Sequence, residues 1–181
     1  MFSLDITIFR WLNSLVFWNP PAGGWIDTVI IFKSQFLGWW ILVGIALIVF
    51  FQRKNISLIP ANRRMVVEAL FAGILSRLVF TEIIRFFYNR PRPFEVLENI
   101  NQLVMHSSGG SFPSGHAAFF FAIASSVFFF HRVWGIIFFG TALYMGIGRI
   151  EVGVHWPTDI LGGMVVGIFS AWLIHKIKRP R

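Results

Sequence analysis

The stretch that decides the fold is "GRIEVGVHWPTDILGG", residues 148–163. It lies between two runs suited to lipid, "VWGIIFFGTALYMGI" (133–147) before it and "LGGMVVGIFSAWLI" (161–174) ending it. Four ionisable residues, Arg149, Glu151, His155 and Asp159, crowd into this one connection, although only 13% of the 181 residues are charged. Two helices joined by a polar connection are the simplest reading, with Pro157 marking the second helix start.

Working outward, 56% of the residues are hydrophobic and the mean hydropathy is +0.68. A soluble domain of this size cannot hide so much apolar surface, so the excess faces lipid. The sequence reads as all-α, a single integral-membrane helix bundle over 1–181 with a transmembrane core at 34–177. Spans are expected at Ser34–Gln52, Met65–Phe87, Phe112–Phe130, Val133–Gly148 and Pro157–Ile174. Gly163 and Gly167 form a small-xxx-small pair suited to close helix contact. Ser3, Thr7, Arg10 and Ser14 make a polar stripe over residues 1–18, which suits an interfacial helix better than a sixth span. "WNPPAGG" then breaks that segment from the first span. No basic n-region or small-residue cleavage site marks "MFSLDITIFRW" as a removable signal. There are no cysteines, so neither disulfides nor thiolate metal sites are available.

The formal charge of +8 is not a nucleic-acid footprint, because the basic residues form no single patch. Arg53, Lys54, Arg63, Arg64, Arg132, Lys176, Lys178, Arg179 and Arg181 all fall on one side by helix alternation. The positive-inside rule makes that side the cytoplasm of a multi-pass cell-membrane protein. Three polar clusters then gather on the opposite, extracytoplasmic face. "RFFYNRPRPF" (85–94) brings Arg85, Arg90 and Arg92, whose mutual repulsion calls for a counter-anion. "SFPSGHAAFF" (111–120) reads as a helix start with Pro113 in the first turn. Ser114, Gly115 and His116 then offer free N–H groups to an anion. In the opening stretch Asp159 can hold His155, leaving its other ring nitrogen as base or nucleophile, with Arg149 nearby. Each cluster alone has an ordinary explanation: snorkelling arginines, a plain helix start, a capping His–Asp pair. Their convergence on one face is what a phosphoryl-transfer site requires. Arg77 and Glu82, costly inside a span, are expected to pair with each other or with Arg85.

In order and spacing, Arg85-x6-Arg92-Pro93, Pro113-Ser114-Gly115-His116 and Gly148-Arg149-x5-His155-x3-Asp159 resemble the three motifs of the type 2 phosphatidic acid phosphatase superfamily, the integral-membrane lipid phosphate phosphatases. Two positions depart: Arg85 stands where the family has Lys, and Gly148 where it has Ser. The resemblance implies that His155 is the nucleophile, Asp159 its polarising partner and His116 the general acid. Arg85, Arg92, Ser114, Gly115 and Arg149 would bind phosphate, with no metal or other cofactor. The short chain and the "RPRPF" form look most like bacterial undecaprenyl diphosphate phosphatases. Isoprenoid or glycerolipid phosphates within the membrane are therefore the implied substrates, with phosphatidylglycerol phosphate and phosphatidic acid as alternatives. Arg90 is left for a second phosphate, Glu151 has no assigned part, and His106, His131 and His175 match no motif. The non-enzymatic rivals are an anion channel or exporter, with the arginines as a selectivity ring, and a degenerate lipid-binding member of the family. Oligomeric state is not encoded in any of these features.

Overall fold

The computed structural model describes residues 3–16 and 24–177, and every regular element among them is helical. In chain order the α-helices are α1 (Ser3–Asn13), α2 (Trp25–Gln35), α3 (Trp39–Gln52), α4 (Ile59–Ile74), α5 (Thr81–Phe87), α6 (Pro93–Val96), α7 (Gly115–Phe130), α8 (Arg132–Glu151) and α9 (Pro157–Ile177), with a 3-10 turn at Ile56–Leu58 before α4. A π-helical segment, Leu75–Phe80, joins α4 to α5 without leaving helical dihedrals, so 59–87 is one continuous rod. Arg132–Glu151 and Pro157–Ile177 are long and apolar enough to cross a membrane. The helices α2 and α3 are apolar and long enough only when taken together, and a bend of 60° separates them.

α7 is the central rod, wrapped by α4, α8 and α9. Lipid is as apolar as leucine, so helices in it gain little from hydrophobic burial and associate by close packing instead. Gly163 and Gly167 supply that fit. A Cβ at Gly163 would sit 2.6 Å from the Ser114 carbonyl oxygen, and one at Gly167 would sit 2.5 Å from that of Ala118. The close contact expected of the pair is therefore present, and it pins the first turns of α7 and α9 together. The Ser114 N–H donates to the Asp159 carbonyl at 2.9 Å.

The first span departs from its predicted bounds. It was expected to begin at Ser34, because Lys33 and Asp27 end the uncharged run. Instead α2 continues back to Trp25 and buries both charges, and Lys33 forms an ion pair with Glu151 of α8. Neutralised in this way, a lysine no longer marks the edge of an apolar helix. The break at 36–38 has a packing cause: the Phe120 ring occupies the space beside Gly38, where a Cβ would lie 2.4 Å from it. Gly148 meets α2 in the same manner, with Ser34 Cα and Lys33 Cε each 3.1 Å from the Cβ it lacks. α2 thus approaches where the family's serine side chain would project.

α1 carries three faces. The predicted stripe of Ser3, Thr7, Arg10 and Ser14 is exposed, as is an apolar row of Leu4, Ile8, Trp11 and Leu15. The third face, Asp5, Phe9, Leu12 and Asn13, is buried against the bundle. The Asn13 side chain donates to the carbonyls of Glu151 (2.7 Å) and Asn101 (2.8 Å). Met1, Phe2, most of the "WNPPAGG" break (18–23) and the basic tail Lys178, Arg179 and Arg181 lie outside the described residues.

The bundle is polar at both ends. At the end away from α1, Glu68 is fully buried between Arg64 and His175, the latter 2.7 Å away. There His131 also meets the Asn62 side-chain oxygen at 3.0 Å. His131 and His175 are thus tied into this far end.

Candidate active site

At the α1 end, four helix termini meet: the C-termini of α5 and α8 and the N-termini of α7 and α9. Helices that alternate in direction deliver these termini together once α7 and α9 are pinned through Gly163 and Gly167.

The loop 152–156 carries His155 into the interior at 1% exposure. Asp159, in the first turn of α9, is fully buried and performs two tasks with one oxygen. Its Oδ2 accepts from the Trp156 backbone N–H at 2.8 Å, capping the helix, and faces His155 Nδ1 at 3.3 Å. The i, i+4 contact expected from sequence is therefore made. An Asp fixed by a backbone donor orients the ring and leaves Nε2 facing inward. Arg92 Nη1 lies 3.5 Å from that Nε2. Arg92 is anchored by donating to the Val154 carbonyl at 3.0 Å, and its backbone N–H is capped by Glu95 at 2.7 Å. Arg85 reaches the same region and donates to the Pro113 carbonyl at 3.0 Å.

Burial, followed by the charges of Arg149, Arg92 and Arg85, holds the His155 pKa well below its ordinary value. The sign follows directly: a ring that resists protonation is neutral at pH 7 and keeps a lone pair for attack. Arg92 is likewise lowered by burial, and Asp159 and Glu95 offset part of that.

Ser114 caps α7, its hydroxyl accepting from Ala117 N–H at 3.5 Å, and Pro113 lies outside the helix rather than in its first turn. The Ser114 N–H is also not free, since Asp159 takes it; the first unpaired N–H groups begin at Gly115. Arg77 lies against Gly115, where a Cβ would be 2.5 Å from Arg77 Nε. His116 is within electrostatic reach of His155, Arg149, Arg77 and His106. Arg77 pairs with Glu82, and Arg85 contacts the same carboxylate at 3.4 Å, as expected from their spacing. Beside them, a cavity of about 210 Å³ is lined by Trp39, Arg77, Gly115, His116, Phe119 and Phe120.

Three guanidinium groups stand out. The buried Nε–H groups of Arg85, Arg92 and Arg149 find no acceptor among the described residues. No carboxylate among those residues lies within ion-pair distance of Arg92 or Arg149, although each is 3% exposed. A buried, unpaired cation costs several kcal/mol. Arg92 and Arg149 are two such groups, and Arg85, which contacts Glu82 at 3.4 Å, joins them around one imidazole in a site shaped for a multiply charged anion.

Two sequence expectations change here. Arg90 does not point its donors at a second phosphate. Its guanidinium is taken up by Asp5, by Thr158 Oγ1 (2.6 Å) and by Asp159 Oδ1 (2.8 Å). His106 was given no part, yet its ring lies 6.4 Å from that of His155 at the site. It sits in a loop with no periodic signal, so nothing in the sequence marked it. Asp5 and Asn13 were missed because they fall in the segment read as an interfacial helix, off its polar stripe.

The family model for the PAP2 superfamily matches residues 66–181, the part of the chain that carries every one of these motif residues. The chain belongs to the PAP2 superfamily. Among curated PAP2 relatives, it is 31% identical to the undecaprenyl-diphosphatase BcrC of Bacillus subtilis (strain 168), over 96% of this chain and 83% of that protein. It is 30% identical to the bacitracin transport permease protein BcrC of Bacillus licheniformis, over 94% of this chain and 79% of that protein. The crystal structure of Aquifex aeolicus LpxE superposes with a TM-score of 0.72 at 28% identity, covering 97% of this chain and 96% of that one. The PAP2 match places the three arginines, His116, His155 and Asp159 within one shared domain.

Proposed function

We propose that this protein removes the terminal phosphate of undecaprenyl diphosphate through a phosphohistidine on His155, at a site facing away from the cytoplasm. The observation that carries the reading is the trio of buried, unpaired arginine donors around a neutral, Asp-held imidazole. The similarity to an undecaprenyl-diphosphatase supports the substrate. Five membrane passes fit the helix order, with α2–α3 as one bent span, 59–87 as the second and α7, α8 and α9 as the rest. α1 then lies at the outer interface, and the basic residues of the far end mark the cytoplasmic side.

In the first step His155 Nε2 attacks the terminal phosphorus, and the bond from that phosphorus to the bridging oxygen breaks. His116 gives its proton to the bridging oxygen as the lipid monophosphate leaves. The Nδ1 proton of the phosphorylated ring stays shared with Asp159, and Arg85, Arg92 and Arg149 hold the phosphoryl oxygens. Water, giving a proton to His116, then attacks the phosphorus, breaks the P–N bond and releases inorganic phosphate. The cavity lined by Trp39, Phe119 and Phe120 borders the site at His116. A second, apolar cavity of about 620 Å³ lies between α3 and α4. Both suit a hydrocarbon tail that stays in the bilayer.

The test is phosphate release by purified protein from undecaprenyl diphosphate, phosphatidylglycerol phosphate and phosphatidic acid, with and without EDTA. We expect the diphosphate to have the highest kcat/KM and chelation to leave it unchanged. A preference for either glycerolipid would reassign the substrate. Loss in EDTA, restored by a divalent ion, would refute the metal-free route, and no release from any lipid would favour the exporter suggested by the permease relative.

His116 offers a finer check. Cleaving a diphosphate expels a phosphate monoester, whose second ionisation lies near pH ~6, so the leaving oxygen needs little help. Cleaving a monoester expels an alkoxide, which needs a proton. General-acid catalysis contributes about 10² to 10⁴. We therefore expect His116→Ala to cost about 10² on the diphosphate and about 10⁴ on a monophosphate lipid, measured as kcat/KM in one preparation. Equal losses would remove His116 from the general-acid role.

A further inference from the structure

We infer that Asp5, on the N-terminal helix, is a positioning residue that leaves the charge of Asp159 available to His155 by engaging Arg90; this rests on the reading of His155 as the nucleophile.

Asp5 is 2% exposed, and both its oxygens are used. Oδ1 accepts from the Thr158 N–H at 3.0 Å. Oδ2 accepts from the Thr158 hydroxyl at 2.7 Å and from Arg90 Nη2. A helix that merely rests on an interface has no need to bury a carboxylate, and doing so is costly without a partner. Arg90 in turn donates to Asp159 Oδ1 at 2.8 Å and lies over the Trp156 ring, 5.1 Å from its centroid. The chain of contacts therefore runs from α1 through the 88–92 segment to the first turn of α9 and ends on His155.

The consequence is electrostatic. Asp5 and Asp159 carry two negative charges and Arg90 one positive, so a net negative charge stands behind the imidazole. Arg92 faces the opposite ring nitrogen at 3.5 Å, and Arg149, Arg85, His106 and His116 lie within electrostatic reach of the ring. When His155 accepts a phosphoryl group and keeps its Nδ1 proton, the ring becomes cationic, and the negative charge behind it stabilises that state. Without Asp5, Arg90 would neutralise Asp159, and the ring would face arginines alone. Asp5 thus makes α1 part of the catalytic unit.

The experiment uses purified full-length protein and a diphosphate lipid, reading kcat, KM and the acidic limb of kcat/KM. Partners of this kind typically matter by about 10- to 100-fold, and we expect Asp5→Asn to lower kcat in that range with KM within about threefold. Losing a negative charge makes His155 harder to protonate, so the acidic limb should move to lower pH. The double variant Asp5→Asn/Arg90→Gln restores the net charge and should return the limb toward wild type. It also removes the arginine that Asp5→Asn leaves with one carboxylate partner fewer, so it serves if the single variant does not fold. Asn13→Ala, which loosens α1 without touching this charge, should lower Tm and leave the limb in place. An unmoved limb in Asp5→Asn, a kcat within about threefold of wild type, or a double variant whose limb differs from wild type overturns the inference. His155→Ala, run alongside, tests the underlying reading separately: full turnover there would refute the nucleophile, whatever Asp5 does.

Discussion

His155→Ala is expected to lower lipid phosphate release by at least about 10⁴, while Tm changes little. Covalent catalysis by a nucleophile is lost entirely with its ring, and a residue acting as part of a unit takes most of the rate with it. The ring is fully enclosed, so its removal leaves a small cavity, but that cavity is lined by polar groups that a water can satisfy. These opposing effects keep the change in stability small. The pH profile of the intact protein carries a linked expectation. Because burial and three arginines depress the His155 pKa, the ring is deprotonated from below neutrality upward. The acidic limb of kcat/KM should therefore fall at a lower pH than free imidazole would give.

Arg149→Ala is the second large effect, and its two readouts should move in opposite directions. Arg149 is 3% exposed, no carboxylate pairs with it, and its Nε–H has no acceptor among the described residues. Removing a donor aimed at charge that develops in the transition state costs about 10² to 10³ in rate, and we expect kcat/KM to fall by that much. Removing an uncompensated buried cation relieves a penalty of several kcal/mol, so Tm in the absence of substrate should stay level or rise. That pairing is the signature of strain kept for function. A variant that loses activity and stability together would mean that Arg149 instead supports the fold.

The sequence was most legible where chemistry demands particular residue types. His116, His155, Asp159 and the three arginines were readable from helix starts, i, i+4 spacing and charge in an apolar chain, and the structure brings all of them to one end of the bundle. Gly163 and Gly167 were readable because close helix contact in lipid needs small residues. What escaped was set by contacts between distant segments. Lys33 looked like the edge of a span because its partner, Glu151, lies more than a hundred residues away. Asp5 looked like part of an interfacial helix because Arg90 and Thr158 are remote in sequence. The bend at 36–38 depends on where the Phe120 ring falls, and the π segment at 75–80 has no proline or periodic cue to announce it. Local periodicity carries no information of that kind.

The most direct measurement of the central claim is to trap the protein during turnover of a lipid diphosphate labelled in its terminal phosphate. Rapid quenching in alkali preserves phosphohistidine, and mapping of the labelled peptide then locates the phosphoryl group. The account predicts acid-labile, base-stable label on the peptide containing His155, absent from His155→Ala and present in Arg149→Ala at a reduced level. Label on any other residue, or undiminished turnover by His155→Ala, would contradict it.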